Sequence, residues 1–394
     1  MKVLAFDANS IVNRAFYGVR LLSTREGTYT NAVYGFFNIV YKLIEEQKPD
    51  AVAFAFDLHA PTFRHKMYEP YKGTRKGMPE ELRQQMPLVK EMLRLLGYPI
   101  LEVEGYEADD ILGSLARQGE QNGDTVLICT GDRDSLQLIT DTARVKLVTT
   151  RMGKTTTKEM DPAAFQETYG FGPLQMVDLK ALMGDTSDNI PGVPGVGEKT
   201  AMKLLHENGT LEQIYARLDD ETLNATAGVK KKLTAGRESA FRSYDLCTIH
   251  RDAPIEFDPQ ENVTKPVNAA PLRALFVQLG FQKLIGQMGL DNAEGPGQER
   301  AGVTGECRLE NVTGAARWQE LVAQWQGTTV SVLALPELAA LSERDWDSAA
   351  ITQPVPVSRM HALMALALCC GAAAGEIALV PAGSFSDYAY FEDD

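Results

Sequence analysis

The sequence predicts an α/β protein: a mostly parallel central sheet with helices on both faces. Three short apolar runs, KVLAF (residues 2–6), AVAFAF (51–56) and TVLICT (125–130), lack polar alternation, as strands buried on both faces do. Helix-like segments, NAVYGFFNIVYKLIEE and EADDILGSLARQGE, lie between them, the alternation that crossover connections produce. Aspartate follows each run at once or nearly so: Asp7, Asp57, and Asp132 with Asp134. Ligands of open sheets bind beyond the carboxyl ends of the strands, so these acids are expected to converge on one edge.

Residues 58–96 read as an insertion between the second strand and the next α/β unit. It joins a basic, aromatic section, RHKMYEPYKGTRK (64–76), to one helix, MPEELRQQMPLVKEMLRLLG, with an apolar stripe of Leu82, Met86, Val89, Leu93 and Leu96. An insertion at the carboxylate edge is well placed to cover a substrate. In GYEADDILGSLARQ, Ala108, Ile111, Leu112 and Leu115 form the core stripe of a helix; Glu107 and Asp110 share one flank and Asp109 takes the other. After residue 160 the chain reads as helical, passes through GDTSDNIPGVPGVGEKTA (184–201) and continues as helices to about residue 289. DNAEGPGQERAGVTGE (291–306) has the composition of a linker, and RWQELVAQWQ, TTVSVLAL and EIALVPAG beyond it read as a small α/β unit.

The 394 residues carry a net charge of −14, which argues against a nucleic-acid partner until its distribution is considered. From Asp291 onward there are 15 acidic residues against 5 arginines and no lysine, so most of the deficit lies there. Basic blocks at residues 64–76 and 228–237 (GVKKKLTAGR) supply the local positive charge that phosphate binding requires. Five cysteines without CxxC pairing and five histidines without HExxH indicate neither a zinc site nor a disulfide framework. No apolar run reaches the roughly 18 residues of a membrane span, and the first residues lack a signal peptide's apolar region. The expectation is a cytoplasmic protein with no membrane partner.

The candidate site is the set Asp7, Asp57, Glu107, Asp109, Asp110, Asp132, Asp134, Asp185 and Asp188. Carboxylates brought together repel one another unless cations sit among them, and hard divalent ions prefer oxygen ligands, so Mg²⁺ or Mn²⁺ is the expected occupant. Two such ions roughly 4 Å apart support phosphodiester hydrolysis without a side-chain nucleophile. The turn from Val193 through Gly195, Val196 and Gly197, followed by Lys199 and Thr200, fits a helix-hairpin-helix pattern. Its glycines let backbone approach a phosphate, and the amides of the next helix start attract its charge. Such a turn grips duplex backbone without reading sequence.

Taken in order, FDANS, AFD, YKGTR, EADD, TGDRD and GDTSDNIPGVPGVGEKTA resemble the 5′-nuclease domain of bacterial DNA polymerase I, a relative of flap endonucleases, over about residues 1–290. The resemblance implies a PIN/FEN-like fold and removal of RNA primers and 5′ flaps, with DNA carrying a 5′ flap or an RNA-DNA primer junction as partner. It places Asp7, Asp57, Glu107, Asp109 and Asp110 at one metal cluster and Asp132, Asp134, Asp185 and Asp188 at the remainder, with Asp7, Asp110 and Asp132 counted as catalytic. It makes Lys72 and Arg75 the arch cations that engage the scissile phosphate, Tyr71 a base-stacking neighbour, and Arg64 a weaker DNA contact. A K⁺ ion at Val193 and Val196 is also implied. The expected organisation is a nuclease core over 1–172 with a helical arch at about 58–96, a helix-hairpin-helix subdomain over 173–290, a linker over 291–306, and a partial 3′-5′ exonuclease-like unit over 307–394. TVSVLALPE has no Asp-x-Glu, so that unit is expected to be inactive. The chain is too short to include a polymerase, a module expected elsewhere, and is expected to be a monomer. A non-catalytic DNA-binding module and a metal-dependent RNase are the alternative readings.

Overall fold

The computed structural model describes residues 1–151, 154–263, 267–291, 308–311, 320, 330–336, 363–370 and 376–381. Two compact units, Met1–Gly295 and Pro296–Asp394, divide within the expected linker. In the first, the described residues form one sheet from β1 (Lys2–Asp7), β2 (Ala51–Ala55), β3 (Ile100–Leu101), β4 (Thr125–Thr130), β5 (Ala143–Arg151) and β6 (Lys154–Met160), in the order β3-β2-β1-β4-β5-β6. Every neighbouring pair is parallel except β5 with β6. The chain leaves β1 toward β2 on one side and returns with β4 on the other, which opens a crevice between the carboxyl ends of β1 and β4.

The three apolar runs are β1, β2 and β4, and their period of two sorts side chains onto two packed faces. Val3, Ala5, Ala51, Ala53, Ala55, Val126 and Ile128 belong to one buried cluster, Leu4, Phe6, Val52, Phe54, Leu127 and Cys129 to the other. The large face packs on α1 (Ala8–Gly18), α2 (Asn31–Gln47) and α5 (Met86–Leu95), which follows two shorter helices, α3 (Phe63–Met67) and α4 (Glu80–Arg83). The alanine-rich face lets α6 (Ala108–Asn122) lie close, and its cluster runs on without a break into α7 (Pro162–Tyr169), α8 (Gln175–Met183), α9 (Glu198–Asn208), α10 (Leu211–Asp219) and α11 (Ala227–Cys247). Packing therefore shows no gap at residue 172.

Three expectations change. The single helix of the insertion is two, α4 and α5, interrupted before Pro87, which has no N–H to donate and whose ring would clash with the preceding turn. Residues 68–79, expected within a helical arch, form no helix: 69–74 run as consecutive turns closed by Tyr71 to Tyr68, Gly73 to Pro70 and Arg75 to Lys72. Residues 269–290, assigned to the helix-hairpin-helix region, instead return as α12 (Ala269–Gln278) and α13 (Gln282–Gln287) to the large face, where Leu272, Phe276 and Phe281 join the cluster of α2 and α5.

In the second unit β7 (Arg308–Asn311), β8 (Val330–Pro336), β9 (Leu363–Cys370) and β10 (Glu376–Pro381) are ordered β7-β10-β9-β8, with only β7 and β10 parallel. TTVSVLAL coincides largely with β8 and EIALVPAG with β10, whereas RWQELVAQWQ, apart from Glu320, and nearly all of the linker lie outside the described residues. Among the described residues no helix is long and apolar enough to cross a membrane.

Candidate active site

Asp7 is the last residue of β1 and the N-cap of α1: one oxygen accepts the Ser10 amide (2.9 Å), the other the Thr130 hydroxyl (2.7 Å). Thr130 ends β4 and accepts the Asp132 amide (2.9 Å), while Gly131 N–H donates to Ser10 Oγ (3.0 Å). These bonds lace the ends of β1 and β4 together and fix the two aspartates on either side of the crevice. Asp57, just beyond β2, accepts the first amide of α6 at Ala108 (2.8 Å), and Glu107 is that helix's N-cap. Carboxylates are favoured at that helix end by its dipole. Asp109, one residue further into the helix, accepts the Ser135 hydroxyl (2.7 Å).

Together they line a cleft of about 830 Å³ whose walls include Asp7, Asp57, Glu107, Asp109, Asp132, Asp134 and Asp188, with Lys72, Arg75, Arg14 and Tyr17. Asp185 is not on its wall but is tied to it: the Lys180 ammonium pairs with Asp134 and, at 2.6 Å, with Asp185. Burial, reinforced by the charges of Asp57 and Asp132, pushes Asp7 up to about 7. Asp134 is pushed up to about 7 by burial and by Asp132. Burial and then Asp7 and Asp132 hold Asp109 well above the ordinary carboxylate range, and burial also raises Asp57. Burial would raise Asp185 too, but the charge and hydrogen bond of Lys180, with those from Ser187, outweigh it and hold the group at about 2.

Raised carboxyls mark a site short of positive charge. Three side-chain cations answer part of that shortage: Lys72 on Glu107 (2.9 Å), Arg75 on Asp188, and Lys180. Among the described residues no three acidic, histidine or cysteine side chains already stand as a coordination shell. The cleft's acids offer carboxylate oxygens, and burial pushes its cysteine thiol, Cys247, up and away from the thiolate form, so the set suits Mg²⁺ or Mn²⁺.

Three expected site residues are corrected. Arg64 is 3% exposed and every guanidinium N–H has an acceptor: Asp110 at 2.7 and 2.8 Å, Glu107 at 3.4 Å, and the carbonyls of Leu246 (3.0 Å) and Thr248 (2.8 Å). It is a buried tie between α3, α6 and the end of α11, with no donor left for a phosphate. Asp110, wholly buried, also accepts the amides of Glu107 (3.0 Å) and His250 (2.8 Å), and does not line the cleft. Its oxygens are engaged by Arg64 and these two amides, away from the cleft wall. Tyr71 is 4% exposed, packed with Val177, Ile190, Leu246 and Cys247, and its hydroxyl lies 3.1 Å from Glu107 and 3.3 Å from Asp188. Its ring packs on these side chains, although the residue borders the cleft.

The hairpin stands apart from the cleft wall. Val193 and Val196 are buried, Val196 N–H closing the turn on Val193 O (3.0 Å), and Ser243 and Ser239 of α11 hold Gly192 at 3.0 and 2.6 Å. Gly195 takes φ +78°, a left-handed conformation that glycine adopts without cost. The amides of Gly195, Gly197, Glu198 and Lys199 have no acceptor among the described residues, and all four residues are exposed at the start of α9. Unpaired donors at a positive helix end form an anion site. Lys199 is exposed beside them and Thr200 half-buried, while Lys232 of α11 donates to Gly195 O at 2.8 Å.

Sequence reasoning missed Lys180 and Arg14. Lys180 is the lone cation within the largely apolar QMVDLKALM, a charge too deep in a helix to be solvent decoration. Arg14, on α1 one turn beyond Ser10, pairs with Gly131 O and lines the cleft, but nothing in its spacing distinguished it from a solvated residue.

Residues 2–170 match the family described as 5′-3′ exonuclease, N-terminal resolvase-like domain, and residues 171–270 that described as 5′-3′ exonuclease, C-terminal SAM fold. The chain belongs to the 5′-3′ exonuclease family. Among curated relatives, DNA polymerase I of Caldicellulosiruptor bescii is 44% identical over 290 residues, 74% of this chain and 34% of the relative. DNA polymerase I of Bacillus subtilis is 42% identical over 293 residues, 74% and 33% respectively. The chain spans about a third of the length of these relatives. Family membership agrees with the solved structures it resembles in fold. T5 5′-exonuclease with bound zinc has a TM-score of 0.51 at 23% identity, covering 63% of this chain and 89% of that one. The catalytic core of Rad2 in complex with DNA substrate has a TM-score of 0.50 at 20% identity, covering 74% and 91%.

Proposed function

We propose that residues 1–290 act as a metal-dependent 5′→3′ exonuclease and structure-specific 5′-flap endonuclease of the DNA polymerase I type, removing RNA primers and displaced 5′ flaps. One observation carries this reading: seven carboxylates and two arch cations share one cleft at the sheet's carboxyl edge. The hairpin's free amides, in the same compact unit, supply a grip on phosphate. That the relatives are DNA polymerase I, and that neighbours of the same fold hold divalent ions or DNA substrate, supports it.

Asp7, Asp57, Glu107, Asp109, Asp132, Asp134, Asp185 and Asp188 would hold two or more Mg²⁺ or Mn²⁺ ions, and the raised carboxyls and the oxygen-only donor set fit them. Such ions, when bound, lower the pKa of an attacking water and neutralise charge on the departing oxygen. Lys72 and Arg75, once their partners Glu107 and Asp188 turn to ligation, are free to engage the scissile phosphate. Lys180 keeps Asp185 ionised and holds it in place against Asp134. The amides of Gly195, Gly197 and Lys199, with the Lys199 ammonium, hold the duplex backbone, and Val196 and Thr200 shape that turn. Potassium at Val193 and Val196 fits less well, because Val193 O is engaged by Val196 and the neighbouring Gly195 O by the Lys232 ammonium.

A monomer, a cytoplasmic site of action, a polymerase module outside this chain and an inactive 3′-5′ exonuclease-like unit over 307–394 complete the proposal. Incubation with a 5′-labelled flap duplex, with Mg²⁺ and with EDTA, tests it. Short labelled products released only with Mg²⁺ are expected; an intact label under both conditions refutes the activity.

A further inference from the structure

Two stretches more than a hundred residues apart meet at the rim of the cleft. Pro70–Arg75 carries the arch cations; Ser187–Asn189 carries Asp188 and leads through Pro191 into the hairpin. Beside the side-chain contacts of Tyr71 and Arg75 with the Asp188 carboxylate, three hydrogen bonds to backbone carbonyls join them: Lys72 N–H to Asp188 O (2.8 Å), Asn189 Nδ2 to Pro70 O (2.7 Å) and Arg75 Nε to Ser187 O (3.3 Å). Lys72 and Asn189 both take φ +56°, a left-handed conformation that asparagine accepts more readily than lysine. Such conformations persist where the surroundings over-determine them, and here each residue is hydrogen-bonded to the opposite stretch, Lys72 to Asp188 O and Asn189 to Pro70 O.

The Asn189 side of this staple is rigid. Asp185 and Ile190 exchange both backbone hydrogen bonds (2.9 and 2.8 Å), closing a turn in which Asn189 directly precedes the closing residue. Two residues beyond Ile190, Gly192 N–H is held by Ser243 and Val193 N–H by Leu182 O, so the turn moves with the hairpin or not at all.

We propose that Asn189 is a positioning residue: its side-chain amide, bonded to Pro70 O, sets the height of Lys72 over the cleft and couples that position to the hairpin's grip on duplex. This rests on the nuclease reading above. An ordinary turn residue would be needed only for its backbone conformation, and one substitution separates the two roles. Asn189→Gly keeps the freedom to adopt φ +56° but removes the amide. Asn189→Asp keeps the shape and sets an acceptor against the Pro70 carbonyl.

The experiment compares the full chain with these two variants on a 5′-flap duplex. Duplex affinity in EDTA is expected to stay within about threefold and single-turnover cleavage with Mg²⁺ to fall roughly 10- to 100-fold, the cost of misplacing a catalytic group by about an ångström. In a Lys72→Ala background Asn189→Gly should add less than about twofold, because the group it positions is gone. Trypsin cleavage after Lys72 and Arg75 in metal-free protein should quicken in both variants. Unchanged cleavage rates, or an equal loss in the Lys72→Ala background, overturn the proposal. If the unaltered chain cuts nothing, the nuclease reading fails on its own, and unchanged trypsin rates would then sink the staple as well.

Discussion

Arg64→Met is expected to cost stability rather than DNA affinity. The guanidinium, 3% exposed, forks onto a carboxylate that is 0% exposed, with contacts of 2.7 and 2.8 Å. Its removal leaves the buried Asp110 carboxyl without its cation, with only the Glu107 and His250 amides donating to it. Breaking a buried pair by deleting one partner costs about 3–5 kcal/mol. At roughly 2–4 °C per kcal/mol for a domain of this order of size, Tm should fall by about 10 °C. Adding Asp110→Asn should recover part of the loss, since an uncharged amide oxygen can still accept a backbone N–H. Thermal unfolding of the three variants, with flap-duplex affinity measured well below their transitions, makes the comparison. An unchanged Tm together with a tenfold or larger loss of affinity would refute the assignment and return Arg64 to the DNA surface.

Asp132→Asn should abolish flap cleavage and leave duplex binding within about threefold, read by single-turnover kinetics and by titration in EDTA. In EDTA the protein should lose stability as pH rises from about 4 to about 7. Asp7 and Asp134, held near 7 when folded and near 3.8 when unfolded, bind more protons in the native state across that window, so deprotonation favours unfolding. Saturating Mg²⁺ should flatten the slope, and Tm against pH in the two media shows it; a Tm that climbs through this window in EDTA contradicts the charge-starved cleft. Lys232→Met should weaken duplex binding a few fold in sodium buffer and respond to added K⁺ more than the unaltered protein does, measured at constant ionic strength. Equal responses of the two proteins would mean the ammonium on Gly195 O does not stand in for a cation.

Much of the fold was legible in advance because local chemistry and global placement agree. KVLAF, AVAFAF and TVLICT have no polar alternation, so a sheet covered on both faces was the arrangement that buries them, and the acids at their ends had to fall on one edge. The hairpin was equally legible, since Gly195 is required by its left-handed backbone and a helix opens three residues on at Glu198. The interrupted insertion helix could have been read from Pro87, whose effect on the preceding turn is local.

Roles within the acidic and basic sets were not legible. Arg64 and Lys72 both lie in one basic block and both border the cleft, and Asp109 and Asp110 are adjacent, yet the structure engages Arg64 on the buried Asp110 and leaves Lys72 on Glu107 and Asp109 in the cleft wall. A helix turns by about 100° per residue, so neighbouring carboxylates face different surroundings, and which one meets a cation depends on elements far away in sequence. The same holds for Lys180 and Asn189, whose partners are Asp134 and Pro70. The sequence by itself determined the sheet, the edge on which charge gathers and the class of ion that charge calls for. Only the tertiary structure decided which acids are spent on internal ion pairs and which remain to bind a ligand, because desolvation and pairing depend on what packs against each group and not on the residue type alone.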